Sequence, residues 1–504
     1  MSFHLKRAMH KSLIFLHKWL GVSLALLFLM WFLSGLVLYY VPFPGLSQAE
    51  RLAGQAPLQL PSGCCLTAQQ ATDKAGLTAS EARLGMFGAL PVWRVLAKDG
   101  QGGAPLWRAI DARNGQLLAP LPAEAAAAVA EAFSGRRAVH SELLERDQWT
   151  VPQGLNPYRP LLRVALDGPD GLELYVSPAA AEVVRDTRRA ERFWNWLGAV
   201  PHWLYFTELR QYPKTWRNVV VWLSIPGVVL AVTGLVLGTW HLFLNRARWI
   251  PYRQFWMRWH HISGLVAAIF TLTWMFSGLL SMNPFGVFSP RAAPAVERMA
   301  WTGPKAAVTL NPAQALAAAP GVQAREMDVV QVAGQAWYRL RGVAEQTLVR
   351  ADGVGASVPQ AALPEETVQA ALRALRPGAV TITRLTAYDD MYYARELNAN
   401  TPYARPLPVW RAQWADGVSV YADPASSRLL LRADASNRWQ RVLYNGLHSF
   451  DFAPLMARPW LQGSLIVLLS LLGTALCVTS CVIAWRVLVP RKRKRMHGRA
   501  ARPA

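Results

Sequence analysis

Acidic residues and cysteine are scarce in this chain. Of 504 residues, 31 are Asp or Glu against 53 Lys or Arg, and only four are Cys. Two of the cysteines are adjacent, Cys64 and Cys65, and Cys477 and Cys481 sit inside an apolar run. That excludes a multiply stapled disulfide scaffold and a CxxC metal site. A charged fraction of 17% beside 52% hydrophobic residues excludes intrinsic disorder and a coiled coil. No GxGxxG loop follows a strand-like run, so there is no sign of a dinucleotide-binding domain. A net charge of +22 would suggest nucleic acid in a soluble protein. Here the basic residues crowd the chain ends and one short connector beside apolar segments, where topology and anionic lipid account for them.

What is present is four charge-free runs, 19–41, 219–244, 262–290 and 459–485. Each reaches the roughly 20 residues needed to cross the hydrocarbon core. The first, although preceded by Lys6, Arg7 and Lys11, is longer than a signal-peptide core and reads as a span. Arg246, Arg248, Arg253 and Arg258 fill the connector between spans two and three, and Arg491 to Arg495 read RKRKR after span four. The positive-inside rule then places both termini and that connector in the cytoplasm. The expected order is a cytoplasmic start and first helix (1–41), an external domain with an interfacial helix (42–217) and a second helix (218–245). A basic loop (246–259), a third helix (260–290), a second external domain (291–458), a fourth helix (459–488) and a basic tail (489–504) follow. In a Gram-negative cell this is a multi-pass inner-membrane protein with periplasmic domains.

The chain also repeats itself. At an offset of 243, LHKWLG from Leu16 meets WHHISG from Trp259, His17 meets His260, Trp31 meets Trp274, and Ser34-Gly35-Leu36 meets Ser277-Gly278-Leu279. Asp147 meets Asp390 at the same offset. At 246, Arg159 meets Arg405, Tyr175 meets Tyr421, and His202 meets His448. The expected fold is an α-helical integral membrane protein, a four-helix core built by parallel internal duplication with two α+β external domains. Runs such as VWRVLAKDG, LELYVSP and SVYADP predict sheets, and 122–133 and 365–375 predict helices.

In each half His17 or His260 shares a helical stripe with a glycine one turn on, then a tryptophan and a second glycine. A histidine beside a glycine on an inward stripe leaves room for a flat cofactor. Haem suits it, since facing helices can supply both axial imidazoles. His261 lies about 100 degrees off the stripe, which favours His260. The competing reading is an imidazole tolerated at the membrane interface. His202 and His448 precede spans two and four in PHWLYF and LHSFDF, and by symmetry predict a second haem at the external surface. Aromatic anchoring is their bland alternative. His241 has no histidine counterpart and reads either as an axial ligand or as a helix cap. Trp31 and Trp274 between the tiers are packing residues or a relay.

The helix starts, the SGL tripeptides, RDQWT and YDDMYY, the YVSP and YADP turns, and the PH and LH motifs together resemble the PepSY-associated transmembrane helix family over about residues 10–488. The resemblance implies paired PepSY-like domains on a four-helix core, an inner-membrane site linked to iron uptake, and haem b in members that reduce ferric siderophores. The resulting expectation is a reductase with two haems b, passing electrons outward to a ferric siderophore or other ferric chelate. Candidate substrate contacts are Asp147, Trp149, Arg159 and Tyr175, with Asp390, Tyr392, Arg405 and Tyr421. Local turn and sheet-edge roles compete for all eight. A quinol or a separate reductase would supply electrons, and the partners are lipid and a chelate rather than nucleic acid. The alternatives are a membrane-anchored sensing or peptidase-inhibiting module without redox activity, or a haem subunit serving another oxidoreductase.

Overall fold

A computed structural model of the chain describes residues 3–98, 103–244, 250–355, 357–394 and 405–489. Arg246, Arg248 and the basic tail from residue 490 lie outside the described residues. Four helices are long and apolar enough to cross a membrane: Phe3–Tyr40, Pro213–Leu244, Phe255–Ser281 and Pro459–Leu488. They form a ring in which the first packs on the second and fourth, and the third on those same two. The first and third therefore face each other across the centre. Leu24, Phe28, Phe32, Leu230 and Cys477 fill that centre with Phe270 and Trp274, while the outward faces keep apolar side chains such as Leu26, Trp222 and Ile269 exposed.

The third helix ends at Ser281, earlier than the apolar run to residue 290 predicts. Asn283, at φ 46, and Pro284 turn the chain into a short 3-10 segment, Pro284–Gly286, because proline cannot continue the helix ladder.

The segment after the first helix carries β1 (Thr78–Phe87), β2 (Leu90–Lys98), β3 (Leu106–Asp111), β4 (Ala138–Leu144), β5 (Leu161–Leu166), β6 (Glu173–Ser177) and β7 (Glu182–Thr187). The segment after the third carries β8 (Glu326–Val332), β9 (Gln335–Arg341), β10 (Gln346–Arg350), β11 (Val380–Leu385), β12 (Val409–Trp414), β13 (Ser419–Asp423) and β14 (Arg428–Ala433). Two four-stranded antiparallel sheets, β4-β5-β6-β7 and β11-β12-β13-β14, each bury one face under a helix, Ala123–Ser134 or Glu365–Ala374. Each has a register shift at the same place, after Tyr175 in β6 and after Tyr421 in β13.

The remaining strands join the two segments in one six-stranded sheet, β10-β9-β8-β1-β2-β3. At its centre Leu84 on β1 pairs with Met327 on β8, the residue it meets at the 243-residue offset. Over this join Glu326, 1% exposed, accepts from Arg51 at 2.6 Å and Arg83 at 3.2 Å and also pairs with Arg341. Glu182 accepts from Arg83 at 2.8 Å. Buried charge is tolerated when paired in this way, and the network ties the two segments together over the join.

Cys64 and Cys65 are disulfide-bonded to each other, while Cys477 is a buried free thiol in the fourth helix. The vicinal bond closes no loop of any length, in keeping with a chain that does not rely on stapling.

Candidate functional site: two opposed histidine pairs

Because the first and third helices face each other, His17 and His260 meet across the bundle, with ring centroids 6.3 Å apart. At the sheet-bearing end, His202 in the short helix Ala199–Trp203 and His448 in Leu447–Ser449 lie with centroids 6.4 Å apart. These helices rest on the first and third spans respectively. The first span takes 17 residues to pass from His17 to Ser34, which touches His202. That separates the tiers by about 25 Å.

Every imidazole is held at Nδ1 by a hydroxyl. Thr233 Oγ1 lies 3.2 Å from His17 Nδ1, and Thr479 Oγ1 lies 3.3 Å from His260 Nδ1. Ser34 Oγ is 3.3 Å from His202 Nδ1, and Ser277 Oγ is 3.0 Å from His448 Nδ1. All four hydroxyls donate to the carbonyl three residues earlier in their own helices, Leu230, Leu476, Trp31 and Trp274. A hydroxyl has one proton, so each is left with lone pairs and accepts from the imidazole Nδ1–H. His202 Nδ1 also donates to the Trp31 carbonyl at 3.2 Å. The tautomer this selects leaves Nε2 without a proton, ready to ligate. Burial pushes the His202 imidazolium down to about 4, with the Trp31 hydrogen bond opposing the fall. Its ring is neutral at pH 7, as ligation requires.

The ring spacing fits an iron between each pair. Two imidazoles bound to one metal ion through bonds of about 2 Å each would have their ring centres at a comparable separation. Among the described residues no group of three or more His, Cys, Asp or Glu is placed to hold a metal ion. A pair of imidazoles could hold an iron whose remaining ligands come from a macrocycle. Glycines keep the rings clear: a Cβ on Gly35 would stand 2.9 Å from His202 Cε1, and one on Gly234 would stand 2.9 Å from His17 Cε1. Gly21 and Gly264, one turn from His17 and His260, have nothing nearer than Leu230 at 3.9 Å and Leu476 at 3.8 Å.

Sequence periodicity placed His260 rather than His261 toward His17, and the structure does the same. His241 joins neither pair: its Nε2 is 3.3 Å from His10 Nε2, and its Nδ1 is 2.9 Å from the Tyr252 hydroxyl. Trp274 lies between the tiers against Phe32 and Phe270, at 5.6 Å from each, and Trp31 packs on Phe28 at 6.3 Å. The supporting hydroxyls escaped sequence reasoning. Ser34 and Ser277 were visible as repeat-matched members of the SGL tripeptides, and Thr233 and Thr479 also match at 246.

The expected substrate contacts are bound up locally, except that the Asp390 side chain is exposed. Asp147 Oδ1 accepts from the Trp149 and Thr150 amides, both at 3.0 Å, and its Oδ2 accepts from the Tyr175 hydroxyl at 2.6 Å. Trp149 and Tyr175 are buried. Arg159 donates to the carbonyls of Glu145 and Thr150. In the second half this role belongs to Asp389, which accepts from the Tyr392 amide at 2.7 Å and the Tyr421 hydroxyl at 2.8 Å. That corrects the pairing of Asp147 with Asp390 by one residue, because a turn tolerates a deletion that a strand does not. Asp390 instead offers its carbonyl to Arg441 Nε at 3.0 Å. Tyr392 and Tyr421 are buried and stacked at 5.3 Å, and the Arg405 guanidinium lies 5.2 Å over the Tyr392 ring.

No curated protein matches the chain significantly. The model of the PepSY-associated TM region matches residues 14–487, nearly the whole length. With four apolar spans and paired sheet domains, the chain belongs to the PepSY-associated TM family.

Proposed function

We propose that this protein is a haem-containing reductase of the bacterial inner membrane, passing electrons outward to a ferric siderophore or other ferric chelate in the periplasm. The observation that carries this is the two opposed imidazole pairs, 6.3 and 6.4 Å apart, each ring fixed at Nδ1 by a repeat-matched hydroxyl. His17 and His260 would hold one haem b, His202 and His448 the other. When bound, the two irons supply one-electron redox chemistry at either face of the membrane. The protein's own residues set the tautomer, exclude charge from the bundle centre and space the tiers. The substrate is a hard Fe(III) held by oxygen ligands, and accepting one electron weakens that hold so that iron can leave.

Orientation rests on the basic connector and on the Cys64–Cys65 disulfide in the sheet-bearing segment, since disulfides persist in oxidising compartments. Internal duplication is supported by the matched hydroxyls, the shared register shifts and the Leu84–Met327 pair.

The deciding experiment is an oxidised-minus-reduced visible spectrum of the purified full-length protein, with haem quantified per chain, repeated for His17→Ala, His260→Ala, His202→Ala and His448→Ala. Two low-spin b-type haems, one lost with either member of a pair, and reoxidation of the reduced protein by a ferric siderophore are expected. A colourless protein would overturn the reading in favour of a membrane-anchored sensing module.

A further inference from the structure

Three imidazoles and a phenol that the histidine pairs do not use meet at the end of the bundle away from the sheets. His10 and His241 face each other through Nε2 atoms 3.3 Å apart, and the Tyr252 hydroxyl is 2.9 Å from His241 Nδ1. The His261 ring stands 6.2 Å from that of His241 and 5.5 Å from that of Tyr252, and Trp240 packs on His10 at 5.1 Å. His261 is 7% exposed, and its Nε2 is buried without a hydrogen-bond partner. His10 lies seven residues before His17, and His241 seven after Gly234, which borders the His17 ring. The cluster is therefore about 10 Å beyond the His17–His260 pair.

Here the repeat breaks. The offset counterparts of His10, His241 and His261 are Arg253, Val487 and Lys18. Both axial pairs are matched between halves, whereas this cluster exists once, so symmetry does not explain it. Among the described residues no group of three or more His, Cys, Asp or Glu is placed to hold a metal ion.

The geometry points to a binding site for the head group of a membrane quinol, with Tyr252 and His261 meeting its hydroxyls, His241 fixing the Tyr252 hydroxyl, and Trp240 and His10 offering ring faces. This rests on the reductase reading, which needs a reductant but includes no nucleotide-binding motif. A quinol reaches the end of a span through the bilayer. Its two ring hydroxyls match an array of imidazole and phenol groups without carboxylates. A buried nitrogen without a partner is costly until a ligand hydroxyl meets it. Oxidation of one quinol to its quinone releases two electrons, one for each of two ferric haems, and two protons, which pass to water at the cytoplasmic face.

The test uses full-length protein in nanodiscs with decylubiquinol as reductant and a photoactivatable azido-ubiquinone as binding probe. Saturable labelling of peptides containing His241, Tyr252 or His261 is expected, together with haem reduction by decylubiquinol. Tyr252→Phe and His241→Gln should lose at least tenfold in both while retaining haem that dithionite reduces fully. Labelling elsewhere, unchanged labelling in both variants, or tight one-to-one zinc retention by the wild type in place of quinone would overturn the site. If the protein carries no haem the reductase reading fails by itself, and labelling still decides whether the cluster binds a quinone.

Discussion

Ser277 Oγ stands 3.0 Å from His448 Nδ1 and at the same time donates to the Trp274 carbonyl at 3.1 Å. One hydroxyl thus reads the helix backbone and sets the orientation and tautomer of an imidazole from another element. Outer partners of ligating histidines are worth roughly 10- to 100-fold in metal affinity. Ser277→Ala should therefore raise the rate of haem loss to apomyoglobin on the order of tenfold without removing the His448 ligand. Ser34→Ala should change it less, because the Trp31 carbonyl still holds His202. Equal and negligible effects would mean that these hydroxyls do not orient ligands.

Two buried carboxylates give opposite pH dependences. Burial would raise Glu326, but the hydrogen bond from Arg51 and the charges of Arg341, Arg51 and Arg83 outweigh it and hold the carboxyl well below its usual range. Its contribution is present above the unfolded value of 4.5 and is lost as pH falls toward the folded one. Asp186 is pushed up to about 6 by burial first, then by Glu50 and Glu191. Its ionisation costs stability as pH rises from 3.8 through about 6. Asp186→Asn should therefore stabilise the sheet domains at pH 7 by about 2 kcal/mol, with the gain vanishing below about pH 4. Glu326→Gln should destabilise by about 3 kcal/mol at pH 7, and progressively less as the solution is acidified. Thermal unfolding of the purified protein across pH 2 to 8, followed by near-ultraviolet dichroism, reads both signs.

Asp147 and Asp389 are pivots that tie a turn to a buried tyrosine. Removing either leaves a buried hydroxyl and amides without acceptors, at about 1–3 kcal/mol each. Asp147→Ala and Asp389→Ala should each increase protease sensitivity of their own sheet domain, whereas Asp390→Ala, whose carbonyl alone is used, should change little. If the Asp390 variant proves the damaging one, the assignment of the second pivot is wrong.

How far the site was legible follows from the range of each interaction. His17, His260, His202 and His448 could be read because helical phase and a constant offset are local properties of the sequence. The same phase put His261 on another face, where the structure finds it against Tyr252. The hydroxyls of Thr233 and Thr479 carried no such signal, since threonine within a span usually just bonds back to its own helix, as both also do. Asp389 was displaced to Asp390 because loop insertions shift register without altering a side-chain pattern. The β1–β8 join was not legible: its partners lie 243 residues apart, and nothing in either strand alone names the other. The third helix was drawn too long because hydropathy alone does not register the turn at Asn283 and Pro284.

The two halves differ in how closely their glycines guard the imidazoles at the sheet-bearing end, and this separates packing from ligation. A Cβ added at Gly35 would lie 2.9 Å from His202 Cε1, closer than real Cβ atoms approach, and 3.2 Å from its Nδ1, a tight contact. At Gly278 the nearest atom, His448 Cε1, is 3.8 Å away, an ordinary contact. Gly35→Ala must then push the His202 ring off its Ser34 and Trp31 partners, while Gly278→Ala leaves His448 in place. Both changes replace glycine by alanine within a helix and should raise intrinsic helix stability by about 1 kcal/mol, so loss of fold does not account for a difference between them. Gly35→Ala is expected to bind one haem instead of two, and Gly278→Ala to bind two, by haem quantification and low-spin spectra. Equal retention of both haems in the two variants would show that the external pair does not hold its cofactor as proposed.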